Sequence, residues 1–140
     1  MPSFSIFKAD QLRSLSSRGP DQRLFRSERG ELWSNLVVKD SRGPLVAESH
    51  DREIDIYLVI EGEAALHLGG TLVEPTSPEP YQHRGQGLEG AELHRIAAGD
   101  AVFIGAGVPH LIDASSGRLV YLVVKHLVPS FALTCAPPEE

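Results

Sequence analysis

From residue 24 onward, apolar residues come in short runs, each cut off by Gly, Pro or Asp. The runs are LWSNLVV (32–38), PLVAES (44–49), IDIYLVI (54–60), AALHL (64–68), ELHRI (92–96), AVFI (101–104), HLI (110–112) and LVYLVV (119–124). Regularly spaced short strands with turn signals between them predict an all-β sandwich or barrel. Helix is scarce. Asp10 is placed to cap a short helix over QLRSL, with Gly19 and Pro20 ending it.

Within IDIYLVI, strict alternation puts Asp55, Tyr57 and Val59 on one side of the pleat. Ile54, Ile56, Leu58 and Ile60 take the other. Glu48 and His50 are also two apart and project from one face of the preceding segment. Five ionisable residues, Glu48, His50, Asp51, Glu53 and Asp55, thus crowd against a strand that must be buried. Charged groups at a core boundary are costly unless paired, and a bound cation would pair them. If that face looks into a barrel, Glu48, His50 and Asp55 converge there. His110 follows a Gly-Val-Pro turn and leads into an apolar strand, which can aim its imidazole inward.

Two stretches depart from the strand rhythm. Residues 69–90, GGTLVEPTSPEPYQHRGQGLEG, hold three prolines and five glycines, too long a connection for a tight hairpin. It reads either as a functional loop or as a disordered surface insertion. The tail from 129, ending APPEE, is expected to fray.

Composition narrows the function classes. The 140 residues suit one domain, with an N-terminal arm over about 1–30, a barrel over about 31–128 and a tail over 129–140. With 13 Lys and Arg against 19 Asp and Glu, the net charge of −6 argues against nucleic acid or an anionic membrane as partner. Cys135 is the only cysteine, so there is no intrachain disulfide and no cysteine-based zinc knuckle. No basic leader and no membrane-length apolar run is visible, and a cytoplasmic protein is the expectation. Gly-rich phosphate loops, a nucleophile elbow and internal repeats are missing as well.

The spacing of these residues resembles the cupin superfamily. Cupins carry a first motif G-x5-H-x-H-x3-4-E-x6-G and a second motif G-x5-P-x-G-x2-H-x3-N. The first is matched here by Gly43, Glu48, His50, Asp55 and Gly62, the second by Gly99, Gly105, Gly107 and His110. Glu48 stands where the first His would be, and Asp55 where the Glu would be. Gly105 replaces the Pro, Ala114 replaces the Asn, and the leading Gly is one residue out of register. The loop after Gly69 and the closing strand YLVVK (121–125) also look like those of small single-domain bacterial cupins.

The resemblance implies an all-β, cupin-type antiparallel β-barrel (a double-stranded β-helix or jelly roll) with a short N-terminal helix, expected as a homodimer. It implies one divalent transition metal, Fe2+, Mn2+, Ni2+ or Zn2+, held by Glu48, His50, Asp55 and His110. Asp is one methylene shorter than Glu, so Asp55 either ligates or orients a histidine. His50, Asp55, His110 and Tyr57 are the candidate catalytic residues. The expected activity is a dioxygenase-type or other oxygenase reaction on a small organic substrate. The alternatives are an isomerase, cyclase or dehydratase using His–Asp acid–base chemistry, or a non-catalytic small-molecule-binding cupin. Asp51, Arg52 and Glu53 read as a charged loop, His67 and His94 as structural, and Trp33 as core or rim packing. Arg84 reads as an exposed loop arginine, with closure over an anionic substrate as the functional alternative.

Overall fold

A computed structural model describes residues 3–128. Cys135 and the tail from 129 lie outside the described residues. The chain opens with helix α1 (Ala9–Ser16), followed by strands β1 (Asp21–Arg26), β2 (Leu32–Lys39), β3 (Ala47–His50), β4 (Glu53–Glu61) and β5 (Glu63–Leu68). Four short strands come next: β6 (Thr71–Leu72), β7 (Thr76–Glu79), β8 (Gln82–Gly85) and β9 (Leu88–Glu89). Strands β10 (Glu92–Ala97), β11 (Ala101–Ile104), β12 (His110–Asp113) and β13 (Leu119–Leu127) complete the fold.

Every strand pairing is antiparallel, and two sheets face each other. One runs β1-β2-β13-β4-β11 and the other β10-β5-β12-β3-β8-β7, with β6 and β9 paired separately. This is a jelly roll. The inward side chains of both sheets meet in one core, where Tyr57, Val59, Leu66, Ile104, Leu119 and Val123 are buried together. Alternation along β4 accounts for its share, because the odd-numbered residues from Glu53 to Val59 are buried and the even-numbered ones are not. Gly62 closes the β4–β5 turn with φ of 83°, where a Cβ would meet the Arg118 carbonyl at 1.9 Å, so only glycine fits.

The apolar runs predict the main strands, but three details differ from expectation. Helix α1 is capped by Lys8, whose backbone N–H donates to the Gln11 side chain at 2.7 Å. Asp10 lies inside the first turn, where its charge favours the helix dipole. The five-stranded sheet begins at Asp21, because the polar segment DQRLFR pairs with β2 as an edge strand, and edges accept polar residues. Residues 69–90 are neither a simple loop nor a disordered insertion. Their β7–β8 hairpin adds two strands to the six-stranded sheet, turning at Tyr81 with φ of 66°. Among the described residues, no helix is long and apolar enough to cross a membrane.

Candidate metal centre

Three short elements bring the candidate ligands together. Strand β3 lies between β12 and β8, and its pairing with β12 sets His110 directly opposite Glu48. His50, two residues beyond Glu48, shares its face. The turn before His110 is tied to β3, because the Gly107 N–H donates to the His50 carbonyl at 2.7 Å. Gly107 holds φ of 80° to make this turn, which suits glycine. Donor atoms of Glu48, His50 and His110 consequently lie within 4.8 Å of one another. Both histidines are buried and Glu48 is half-buried.

Hydrogen bonds fix which nitrogen each imidazole presents. His110 Nδ1 donates to the Val108 carbonyl at 3.0 Å, which leaves Nε2 as the free lone pair. His50 Nδ1 bonds the Gln82 side-chain oxygen, and the Gln82 amide in turn donates to Glu53. His50 Nε2 therefore faces inward too, 3.6 Å from a Glu48 oxygen. Glu53 is buried within β4, so it is not part of a charged surface loop as its neighbours suggested. Asp51, by contrast, lies in the turn and bonds His83 Nε2 at 2.8 Å, and Arg52 stacks on the Tyr81 ring.

Asp55 sits beneath this cluster at 2% exposure, the most deeply buried of the candidate site residues. One carboxylate oxygen lies 3.5 Å from His110 Nε2 and 3.7 Å from His50 Nε2, and accepts the Tyr57 hydroxyl at 3.3 Å. The other accepts from Lys125 Nζ at 3.1 Å. Such a carboxylate cannot stay buried without partners, and here it has a cation and a phenol. Lys125 Nζ also approaches His50 Nε2, at 3.4 Å. Tyr57 stacks at a tilt on Tyr121, with ring centroids 5.0 Å apart, and presents an edge to His110.

The environment tunes the protons of these groups. Burial holds His110 below the usual imidazole value, outweighing the raising effect of Asp55 and of its bond to Val108. His110 thus favours the neutral form that ligation requires. Burial, reinforced by the Asp55 charge, pushes Tyr57 well above the ordinary phenol value. Tyr57 remains a protonated donor. Tyr121 is likewise raised, first by burial and then by Glu48.

The donor set suits a divalent transition metal. Two neutral imidazoles and a carboxylate are ligands for iron(II), manganese, nickel or zinc, and their donor atoms already converge. Asp55 Oδ2, the oxygen that Lys125 does not bond, faces both Nε2 atoms. With each Nδ1 protonated it meets two lone pairs there and no N–H to accept, so it does not orient the rings by hydrogen bonds in this tautomer.

Sequence reasoning brought Glu48, His50, Asp55, Tyr57 and His110 to one place, and the structure does gather them. It missed Gln82, Glu53 and Lys125. The signal for Lys125 was present in the pattern, because it continues the inward alternation of Tyr121 and Val123. Pairing of β13 with β4 sets Val123 beside Tyr57 and Lys125 beside Asp55. No comparable signal existed for Gln82, whose strand could not be read. His94 is exposed and lies near Glu92, and His67 is half-buried on β5, so neither joins the cluster. Trp33 is half-buried on β2.

Above the cluster opens a cavity of about 990 Å3, lined by Glu48, His110, Tyr57, Tyr121, Arg84 and Arg118 among others. Its size suits a small organic molecule.

No protein-family profile matches the chain, and no curated protein matches it by sequence. Solved structures do. BH2720 from Bacillus halodurans aligns over 92% of this chain and 83% of its own, with TM-score 0.63 and 17% identity. An RmlC-like cupin family protein with a double-stranded β-helix fold from Methanocaldococcus jannaschii aligns over 78% and 80%, with TM-score 0.52 and 20% identity. HppE, solved in its iron(II) form with substrate, aligns over 76% of this chain with TM-score 0.56 and 19% identity, and the chain spans only 53% of it. Identities this low speak for fold and not for chemistry. The antiparallel pairing, the two facing sheets and these likenesses agree: the chain has the cupin fold.

Proposed function

We propose that this protein is a metal-dependent cupin enzyme that acts on a small organic substrate in the barrel cavity, by an oxygenase-type reaction. The observation that carries the reading is the convergence of Glu48, His50 and His110 donor atoms within 4.8 Å at the cavity floor. Two histidines with one carboxylate are a donor set that suits non-haem iron, and Glu48, His50 and His110 would hold such an ion. When bound, the ion supplies Lewis acidity or an O2-binding site.

The chain's own residues have separate tasks in this scheme. Gln82 and the Val108 carbonyl hold the two imidazoles with Nε2 inward. Lys125 neutralises Asp55, whose other carboxylate oxygen lies beside both Nε2 atoms. Tyr57, kept protonated by burial, donates its one hydroxyl proton to Asp55 and lines the cavity.

A second reading is favoured by one contact. Lys125 Nζ lies 3.4 Å from His50 Nε2, so His50, Lys125 and Asp55 form a proton-transfer group without any ion. That arrangement suits a metal-independent isomerase, cyclase or dehydratase. A homodimer is proposed with either chemistry.

Elemental analysis of untagged protein beside His110→Ala tests the choice. About one transition metal per chain, lost in the variant, supports the metal reading. No metal in protein purified without chelator, and no uptake on titration, overturns it in favour of the acid–base reading. Oxygen consumption coupled to substrate loss separates oxygenation from isomerisation.

A further inference from the structure

The β7–β8 hairpin brings a further charged residue to the cavity. Strand β8 pairs with β3 so that His50 faces Gln82, Ser49 faces His83 and Glu48 faces Arg84. Side chains alternate along a strand, so Gln82 and Arg84 share the face of His50 and Glu48. The bond from Gln82 to His50 fixes that face as the inner one. His83 points the other way, to Asp51 and Ser77. Arg84, exposed to solvent as the sequence suggested, lines the cavity with Glu48.

Among the described residues, Arg84 makes no side-chain hydrogen bond and no ion pair. Residues directly opposite on antiparallel strands are close enough to pair, yet Glu48 turns its carboxylate toward His50 instead. Two other cavity arginines are already engaged. Arg42 pairs with Asp40 at 2.6 Å, and Arg118 pairs with Glu61 and donates to the Ser16 carbonyl at 3.1 Å.

Charge then decides what the cavity takes. Asp55 and Lys125 cancel. A divalent ion offsets Glu48 and the buried Glu53 carboxylate, 3.8 Å from His50 Nδ1, and Arg84 and Lys39 on the cavity lining leave the balance positive. We infer that Arg84 binds the oxyanion of an anionic substrate, a small organic acid whose carboxylate or phosphoryl group sits in its fork while another part of the molecule faces Glu48, His50 and His110. This rests on the metal reading for the charge count, and on the β3–β8 register for the position. A guanidinium matches either oxyanion through two parallel N–H donors.

Calorimetric titration of Zn2+-loaded protein with glycolate, inorganic phosphate and neutral glycolamide tests it. Glycolate, phosphate or both should bind, and glycolamide should not. Arg84→Gln should weaken anion binding by about tenfold or more, with Arg84→Lys between, while both variants keep the wild-type Zn2+ stoichiometry. Equal affinity for glycolate and glycolamide, no binding of either anion, or unchanged anion binding in Arg84→Gln would overturn the inference. Protein that takes up no Zn2+ but still binds the anions through Arg84 would sink the metal reading alone and leave the oxyanion site standing.

Discussion

The two faces of strand β4 invert the usual order of a half-buried strand. Its inner face carries Glu53, Asp55, Tyr57 and Val59, all buried, and three of the four are polar. Its outer face carries Ile54, Ile56, Leu58 and Ile60, all apolar, and Leu58 remains 42% exposed. On β11, Phe103 sits beside Ile56 and is 58% exposed. A barrel built only for stability would place these sets the other way round. The inner face therefore bears the cost of a site, met by partners: Lys125 and Tyr57 for Asp55, Gln82 for Glu53. The outer face offers an apolar surface that a second copy of the chain could cover, as the proposed homodimer requires.

The largest effect should come from splitting the buried ion pair. Asp55→Leu leaves Lys125 without its countercharge and should cost about 3 kcal/mol of stability, whereas Asp55→Leu with Lys125→Met should recover most of it. Urea unfolding of the single and double variants measures both. If the double variant is no more stable than the single one, the pair is not what keeps Asp55 buried.

Tyr57→Phe removes one hydrogen bond from Asp55 and keeps the ring packing against Tyr121, so a loss of about 1 kcal/mol is expected. In the same unfolding experiment, no change would mean that Lys125 alone satisfies Asp55.

The pH dependence of the metal-free protein gives a third check. Unfolded histidine takes up its proton as pH falls through about 6.5, whereas native His110 does so only at lower pH because it is buried. The unfolded state thus binds more protons in that window. The His110 contribution to stability is full above it and is lost as pH falls toward the lowered native value. His110→Gln should flatten this part of the pH–stability curve, and an NMR titration of the imidazole should place its midpoint below that of an exposed histidine. A midpoint at or above the free value would contradict the burial argument.

The smallest effect is expected on the outer face. Leu58→Gln should change monomer stability by no more than about 0.5 kcal/mol. Under the homodimer proposal, Leu58→Gln with Phe103→Gln should instead shift sedimentation toward the monomer. If the double variant stays dimeric, the dimer uses another surface. If the single variant loses much more stability regardless of protein concentration, the outer face is packed by its own chain.

Periodicity alone located the main strands and sorted β4 into its two faces, because alternation reports burial whatever the fold. The spacing from Glu48 to Asp55 and the turn before His110 likewise placed five site residues together. What periodicity could not read was β8. QHRG has no apolar alternation, and its strand is made by pairing with β3 on one side and β7 on the other. Glu53 looked like loop charge for the same reason, since its partner Gln82 arrives from 29 residues away.

The sequence by itself determined an all-β chain and the inward direction of Asp55 and Tyr57, local properties carried by residue type and a two-residue period. The resemblance supplied a four-residue donor set, Glu48, His50, Asp55 and His110, of which Glu48, His50 and His110 converge within 4.8 Å. Only the tertiary structure decided that Lys125 neutralises Asp55, that Gln82 orients His50 and that Arg84 lies opposite Glu48. Each depends on the register between strands distant in sequence, and a shift of one residue would turn every one of these side chains to the opposite face.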